Sequence, residues 1–356
     1  MTTAPIDGAA LDGVAATCLW TLRNRAEESR HPGSAFADPL AERLQRRISY
    51  DYARFGKPDQ IHPLRAVALD FAIRAYLDRH PHATVVALGE GLQTTYWRLG
   101  RPDVDWLSVD LPPVADLRRR LLPAEPRMTA FGGSALDRSW LEVPDPARGV
   151  FISAEGLFMY LGRDEVFALI ADCAARFPGG RLFFDSIPPW ISRRTLRGGR
   201  RSRGGPAAQG GPASQGGPAL PDGPARQDDP AWQDGPASQH RPTSQGGPAS
   251  QGNPRGRPPF STLPAGTDNS GPPAGTGNAG LRLSDRYTVP PMPFGLTVSE
   301  AARLPGRIPG VAAVQDVQPP PGRGAWRPGT LRKLANLPGL RDLRPSISLV
   351  SFAEPG

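Results

Sequence analysis

The feature that most constrains the fold is an alternation of short apolar runs with amphipathic segments, beginning at Ala83. Buried strands are predicted for TVVALG, DWLSVDLP, GVFISAEG and GGRLFFDSI, with a weaker strand near residues 127–131. Between them, LQTTYWRLG, PVADLRRRLL and RDEVFALIADCAARF have the apolar spacing of helices. Strands that alternate with helices build a parallel sheet covered on both faces. The sequence therefore predicts an α/β fold with a doubly wound, mostly parallel sheet.

Helices are predicted before this sheet and a strand is predicted to close it. GVAATCLWTLRNRAEES (from Gly13) and FADPLAERLQRRI (from Phe36) are amphipathic, and a third helix is expected over about residues 63–79. After residue 281 we expect a short helix in YTVPPMPFGLTVSEAARL, a strand in VAAVQDV and a closing strand in SISLVSFA.

Between about Gly204 and Gly280 the chain has low complexity. Proline recurs at every sixth position from 206 to 254, in units such as GGPASQ. The stretch has neither the glycine at every third position that collagen needs nor the aliphatic residues of a β-helix. Ordering it would cost backbone entropy with almost no apolar burial as compensation. We therefore predict a disordered insertion over residues 198–280, which divides one folded domain into residues 1–197 and 281–356.

Charge and cysteine content predict the compartment and exclude some partners. Of the net charge of +8, a surplus of six comes from eleven arginines and five aspartates between Arg193 and Arg282, so nucleic acid is not an expected partner. Cys18 and Cys173 lie in apolar helical patterns, as free thiols in a reducing cytosol do. No apolar run reaches the roughly 18 residues of a membrane span. The sequence predicts a cytoplasmic protein without a membrane partner, and it does not indicate the oligomeric state.

The strongest functional signal is VVALGEGLQTTYWRL, where Gly89 and Gly91 lie in a turn between a strand and a helix. Such a turn lets the backbone approach a ligand at the carboxyl edge of a parallel sheet. Asp110 ends the next strand, 21 residues after Gly89, where a carboxylate can accept hydrogen bonds from ribose hydroxyls. Together these features predict a nucleoside-containing cofactor.

Two residues favour S-adenosyl-L-methionine over NAD as that cofactor. Thr94 stands where a dinucleotide motif needs its third glycine, and Glu90 in the turn would repel a pyrophosphate. S-adenosylmethionine has no phosphate and carries a positive sulfonium, so an acidic turn does not disfavour it.

Ordered blocks of the chain resemble the leucine carboxyl methyltransferase family, which includes O-methyltransferases of polyketide biosynthesis. The blocks are TCLWTLRNRAEESR…FADPLAERL, the helix of Arg65, VVALGEGLQTTYWRL, WLSVDLPPVADLRRRLLP, SALDRSWL, AEGLFMYL and FPGGRLFFDSI. They cover about residues 13–190, and YTVPPMPFGL with the closing strand extends the resemblance. The resemblance implies a sheet of class I methyltransferase type and methyl transfer from S-adenosylmethionine to a carboxyl or hydroxyl oxygen of a small molecule such as a polyketide-type metabolite.

The resemblance also implies roles for individual residues. Arg65 matches the arginine that pairs with the methionine carboxylate of the cofactor, a contact suited to a guanidinium. The other implied cofactor-binding residues are Gly89 and Gly91 in the turn, Asp110 at the ribose, Ser134 and Ala135 beside the adenine, and Glu155 at the methionine end. Tyr160 is the candidate for the acceptor side, and it suits core packing equally well.

The chain departs from the family pattern at three positions. Gln93 and Ser134 stand where family members often have aspartate, and Glu90 stands where they usually have a small residue. The five histidines form no constellation, so neither a general base nor a metal site is predicted. Three alternatives therefore stay open: an NAD-dependent oxidoreductase, a non-catalytic binding protein that kept the fold, and a carboxyl methyltransferase of protein C-termini.

Deletion of about residues 204–280 tests the predicted insertion. We expect the melting temperature and the affinity for S-adenosylmethionine to stay nearly unchanged, because this stretch has almost no apolar side chains to bury. Thermal unfolding and calorimetric titration measure the two quantities. Loss of folding on deletion would show that the stretch is structural.

Overall fold

The computed structural model describes residues 4–197, 262–263, 280–327, 329 and 335–354. The predicted insertion thus lies outside the described residues, apart from residues 262, 263 and 280. The helices are α1 (Thr17–Arg30), α2 (Pro39–Arg47), α3 (Ile61–Leu77), α4 (Thr95–Arg98), α5 (Pro112–Leu121), α6 (Arg163–Arg176), α7 (Pro189–Arg197) and α8 (Val298–Ala301). The strands are β1 (Ile6–Asp7), β2 (Ile48–Ser49), β3 (Thr84–Leu88), β4 (Asp105–Asp110), β5 (Met128–Gly132), β6 (Val150–Ala154), β7 (Arg181–Ser186), β8 (Thr262–Leu263), β9 (Leu281–Ser284), β10 (Tyr287–Val289), β11 (Val311–Asp316) and β12 (Ser346–Phe352).

Eight of the strands in the described ranges form one sheet, in the order β11-β12-β7-β6-β3-β4-β5-β8. The five strands from β3 to β7 pair in parallel. The chain moves outward from β3 to β4 and β5, then crosses to the other side of β3 to form β6 and β7. This reversal confirms the predicted doubly wound α/β sheet. It also creates a topological switch point between β3 and β6, the place where such sheets bind ligands.

The central strands are buried on both faces. In β3, Val85 and Ala87 pack in the apolar cluster that includes α3, whereas Val86 and Leu88 pack in the cluster that includes α6. Successive side chains of a strand point to opposite faces, so an uninterrupted apolar run covers both. The helices therefore position the carboxyl edge of the sheet between two packed layers.

The edges of the sheet add features that the sequence did not predict. The predicted strands β11 and β12 are present, but they pair antiparallel with each other, and β12 pairs antiparallel with β7. At the opposite edge, Thr262–Leu263 pairs in parallel with β5. These two residues fall within the predicted insertion, and no apolar pattern marked them as a strand. A deletion of residues 204–256, which spares β8, is therefore the sharper test of the insertion.

Two helices differ in length from the sequence-based expectation. The predicted helix LQTTYWRLG is reduced to α4, because residues 90–93 form a turn in which the Gln93 amide donates to the Glu90 carbonyl oxygen at 3.1 Å. The third helix begins at Ile61, two residues earlier than expected, and Pro63 lies in its first turn as predicted.

Both cysteines are buried, unpaired thiols on helices, as predicted. Burial raises the pKa of the Cys18 thiol. None of the helices in the described ranges combines the length and the apolar composition needed to cross a membrane.

A buried arginine fastens the N-terminal helices to the turn that follows β3. Arg25 of α1 is 0% exposed, and its guanidinium donates to Asp38 Oδ2 at 2.7 Å and to Thr94 Oγ1 at 2.9 Å. It also donates to the Leu92 carbonyl oxygen at 2.7 Å. Asp38 in turn accepts from the Ala41 amide and so caps α2. Arg98 also pairs with Asp38, at 3.2 Å, and keeps Asp70 as a second acidic partner. Because these charges are shielded from water, removing Asp38 leaves Arg25 uncompensated.

Asp38→Ala should lower the free energy of unfolding by about 3–5 kcal/mol, because Arg25 would keep a buried charge without its partner. The matched control is Glu27→Ala, which removes the partner of the exposed Arg30 and should cost at most about 1 kcal/mol. Urea unfolding of both variants measures the difference. Similar losses in the two variants would contradict the assigned role of Asp38.

Candidate functional site

The predicted site residues meet at the carboxyl edge of the sheet, around the switch point. Gly89 directly follows β3, Asp110 is the last residue of β4, and Glu155 directly follows β6. Carboxyl ends of parallel strands share one edge, so residues distant in sequence are brought together there. The crevice at this edge is the usual ligand site of a doubly wound sheet.

The two glycines of the turn are required by its shape. Gly89 and Gly91 have left-handed backbone conformations, with φ of 57° and 56°. A Cβ atom at Gly89 would lie 2.9 Å from Leu157 Cδ1, and one at Gly91 would lie 3.1 Å from Cys18 Cβ. Only glycine suits both the conformation and the close approach. The beginning of α1 therefore lies directly against the turn.

The Asp110 carboxylate holds the turn through backbone amides. Its Oδ2 accepts from the Gly91 N–H at 2.6 Å, and its Oδ1 accepts from the Leu111 N–H at 2.8 Å. Burial raises the pKa of Asp110 to about 6, against the opposing effects of these two hydrogen bonds and of Arg118. Each carboxylate oxygen has a second lone pair, so Asp110 can still accept hydroxyl donors.

Arg65 of α3 joins two carboxylates at the ends of neighbouring strands. Its Nε donates to Glu155 Oε1 at 2.8 Å, and its Nη1 donates to Asp185 Oδ2 at 2.7 Å. Burial alone would lower the pKa of Arg65, but the carboxylates of Asp185 and Glu155 raise it. The two bonds use two of the five guanidinium N–H groups. The other three make no hydrogen bond to a described residue and can receive a ligand carboxylate.

Glu90, the acid inside the turn, is paired with Arg118 of α5. Arg118 Nη2 lies 2.6 Å from Glu90 Oε2. Arg118 Nη1 also donates to the carbonyl oxygens of Gly91 at 2.6 Å and Gln93 at 3.1 Å. The departure from the family pattern at Glu90 is therefore matched by a cation that also braces the turn.

Some buried acceptor atoms beside the turn have no hydrogen-bond partner within the described part of the chain. They are Glu90 Oε1, Gln93 Oε1 and Glu155 Oε2. These three residues line a cavity of about 10 Å³ together with Gly89. Native proteins rarely leave buried acceptors unpaired, so a bound group with N–H donors or positive charge fits here. S-adenosylmethionine has both, in its ammonium and its sulfonium, so the chemistry of these acceptors fits its positive end, while the cavity itself has room for only about one water molecule.

The two residues predicted beside the adenine follow β5. The Ser134 hydroxyl accepts from the Leu136 amide at 3.1 Å, which leaves its O–H free to turn toward a ligand. Ala135 is buried in the main apolar cluster, and its carbonyl oxygen accepts from Trp140 Nε1 at 3.0 Å. The loop is thus held in place by packing rather than by a charge at position 134.

Tyr160 and His62 are both packed among the N-terminal helices. Tyr160 belongs to the apolar cluster of α1 and α2, and its side chain is hydrogen-bonded to Thr17. Burial raises the pKa of Tyr160 to about 12. His62 Nδ1 lies 2.8 Å from Asn24 Nδ2, and burial lowers the pKa of His62. These surroundings favour core packing for Tyr160 over contact with an acceptor.

Two charged residues of the site, Asp185 and Arg118, were not predicted. Asp185 is the acid in FFDSI, near the carboxyl end of β7, and its position is the same kind of signal that identified Asp110. Arg118 shares the buried face of α5 with Val114, Leu117 and Leu121. Arg118 follows Val114 by four positions and precedes Leu121 by three, so it lies on the same face of the helix as these apolar residues, and the two arginines that follow it do not.

The raised pKa of Asp110 predicts stability that depends on pH. Its pKa is about 6 in the folded protein against an ordinary 3.8, so the folded state binds the proton more tightly. The stabilisation is complete at low pH and is lost as pH rises through about 6. Relative to Asp110→Asn, the unfolding free energy of the wild type should fall by about 2 kcal/mol between roughly pH 4 and pH 7. A difference that stays constant in urea unfolding over this range would contradict the prediction.

No family model matches the chain. The tetracenomycin polyketide synthesis O-methyltransferase of Streptomyces glaucescens is 36% identical to it over 187 residues, which are 51% of this chain and 69% of that protein. An S-adenosyl-L-methionine-dependent methyltransferase of Gibberella zeae is 30% identical over 203 residues, 49% of this chain and 67% of that protein.

Among solved structures, an O-methyltransferase family protein from Burkholderia thailandensis aligns with 48% of this chain and 62% of its own, at 18% identity and a TM-score of 0.28. The similarity to the Streptomyces protein covers more than two thirds of that relative, and the sheet described above is of class I methyltransferase type. The cofactor is S-adenosylmethionine, and the chain belongs to the S-adenosylmethionine-dependent methyltransferases rather than to the NAD-dependent oxidoreductases.

Proposed function

We propose that this enzyme methylates an oxygen, carboxyl or hydroxyl, of a small molecule, and that it is a member of the leucine carboxyl methyltransferase family. The observation that carries the proposal is that Glu90, Gln93 and Glu155, which line one small cavity at the switch point, each have a buried acceptor atom without a hydrogen-bond partner among the described residues. They suit the positive end of the cofactor. The name of the Streptomyces relative supports oxygen as the methylated atom and a polyketide-type metabolite as the acceptor.

The roles of the site residues follow from their free hydrogen-bonding capacity. We assign the three remaining N–H groups of Arg65 to the methionine carboxylate of the cofactor, and the unpartnered Oε2 of Glu155 to its positive end. Asp110 would accept hydrogen bonds from the ribose through its second lone pairs. The Ser134 hydroxyl and the Ala135 backbone would bound the adenine.

The contribution of the protein to the reaction is mainly geometric. When bound, S-adenosylmethionine would supply a methyl group on a positively charged sulfur, with the neutral thioether as the leaving group. Arg65 and Asp110 would fix the two ends of the cofactor. The protein would then need only to hold the acceptor oxygen in line with the bond between the sulfur and the methyl carbon. A carboxylate acceptor needs no general base, whereas a hydroxyl acceptor gains from one.

Transfer of labelled methyl from S-adenosylmethionine to phenols, carboxylic acids, amines and short peptides tests the proposal. Label on phenols or small carboxylic acids is the expected result, and base treatment separates the two, because methyl esters hydrolyse and aryl ethers persist. Label on amines alone would refute oxygen as the acceptor. Label on peptide C-termini alone would instead identify a protein carboxyl methyltransferase.

Asp110→Ala should weaken binding of S-adenosylhomocysteine by about 1–3 kcal/mol, because the ribose hydroxyls would lose their acceptor. Asp116→Ala is the matched control, since Asp116 is an exposed aspartate on α5. Isothermal titration calorimetry measures both affinities. Unchanged affinity in Asp110→Ala, with the protein folded, would refute the assignment of Asp110 to the ribose.

A further inference from the structure

A second, larger cavity lies beside Arg65 and Asp185. Its volume is about 280 Å³, close to the lower end of the range for small-molecule sites, which begins at about 300 Å³. Most of its wall is apolar and includes Ile61 and Leu64 of α3, Ile347 of β12, and Val317 and Trp326. The cavity therefore suits a compact ligand with an apolar body.

The cavity adjoins the residues assigned to the cofactor. Arg65 lines it, and the same guanidinium donates to Glu155 beside the Gly89 turn. Asp185 lines it from the end of β7, next to β6 in the sheet. A ligand in this cavity would thus have its polar end at the Arg65–Asp185 pair, on the side of the predicted methionine end of the cofactor.

The charges around the cavity are already balanced by the protein. Arg65 is bonded to two carboxylates, those of Glu155 and Asp185, and Arg344, the other arginine lining the cavity, is paired with Asp316. Among the described residues, no arginine of the wall lacks an acidic partner. Once the cofactor carboxylate occupies the remaining N–H groups of Arg65, an acceptor carboxylate would therefore face Asp185 without a cation of its own, and like charges repel.

A neutral hydroxyl, unlike a carboxylate, can donate a hydrogen bond to Asp185. Asp185 Oδ1 accepts from the Gly156 N–H at 2.6 Å, and Oδ2 accepts from Arg65 at 2.7 Å. Each oxygen keeps a second lone pair. These two donors fix the carboxylate, so an incoming O–H can donate to it without rearrangement.

We propose that this cavity is the acceptor site, that the acceptor is a neutral, mainly apolar hydroxyl compound such as a phenol, and that Asp185 is the catalytic residue that accepts its proton. This inference rests on the proposed function, methyl transfer to oxygen, and narrows it from carboxyl or hydroxyl to hydroxyl.

The step is balanced in atoms and charge. A lone pair of the acceptor oxygen forms the new bond to the methyl carbon while the sulfur–carbon bond breaks and its electron pair stays on sulfur. The hydroxyl proton passes to the Asp185 carboxylate and from there to solvent. The products are a methyl ether, S-adenosylhomocysteine and one proton.

Binding of two matched probes to the full chain, saturated with S-adenosylhomocysteine and at neutral pH, tests the proposal. 2-Naphthol is neutral and 2-naphthoate is ionised under these conditions, and both have the same ring system. Fluorescence titration should give 2-naphthol an affinity at least about tenfold higher, because only the hydroxyl donates to Asp185. In Asp185→Asn the preference should shrink to about threefold or less. Equal or tighter binding of 2-naphthoate to the wild type would overturn the proposal.

A cavity-filling variant keeps the test decisive if Asp185→Asn fails to fold. Ile61→Trp should weaken 2-naphthol binding by about tenfold, since the half-buried Ile61 lines the cavity. Ile191→Trp is the matched control, a half-buried isoleucine on α7 outside the cavity lining. S-adenosylhomocysteine affinity, measured by calorimetry, should be unchanged in both variants. No effect of Ile61→Trp on 2-naphthol binding would place the probe elsewhere and refute the site.

Failure of this inference and failure of the proposed function give different results. If labelled methyl appears on carboxylic acids but not on phenols, oxygen transfer stands and the hydroxyl assignment falls. If 2-naphthol binds with the expected preference but only amines are methylated, the cavity assignment stands and oxygen transfer falls.

Discussion

The guanidinium of Arg65, held between the carboxylates of Glu155 and Asp185, is the interaction on which the site depends. It ties α3 to the ends of β6 and β7 at 2.8 and 2.7 Å, and the side chains of all three residues are nearly buried. Breaking such a pair on one side leaves an uncompensated charge, which costs several kcal/mol. Glu155 of this group lines the small polar cavity at the glycine turn, and Arg65 and Asp185 line the larger apolar cavity beside α3 and β12. The positions proposed for cofactor and acceptor are thus set by one arginine.

Two further arginines stabilise the turn that bears Gly89 and Gly91. Arg25 reaches it from the N-terminal helices through Leu92 and Thr94, and Arg118 reaches it from α5 through backbone carbonyls and Glu90. A turn with left-handed residues and buried polar atoms needs such external partners, because its own backbone cannot satisfy them. This bracing explains how the turn tolerates an acid at position 90. The extra charge is neutralised from a helix that a short sequence motif does not include.

The distribution of charge around Arg65 supports the proposed positions of the methyl donor and the acceptor. Acceptor atoms without partners lie on the cofactor side, where a positive group is expected, whereas the arginines lining the apolar cavity are paired with acids. A low-dielectric site strengthens both effects, since a buried charge is screened little by water. The combination favours a cationic methyl donor on one side of Arg65 and a neutral acceptor on the other.

The sequence by itself determined the fold class, the strands from Thr84 to Ser186, and the turn and strand end that carry Gly89, Gly91 and Asp110, because apolar periodicity and glycine-bearing turns are local properties. It did not reveal the antiparallel pairing of β11 and β12, the edge strand Thr262–Leu263 or the shortening of α4. It also left Arg65, Glu155 and Asp185 as three unconnected residues up to 120 positions apart. Only the tertiary structure decided that they share one ion-pair group and that a cavity adjoins it. Such contacts depend on which strand ends become neighbours and on how α3 crosses them, and neither follows from the local pattern of any one segment.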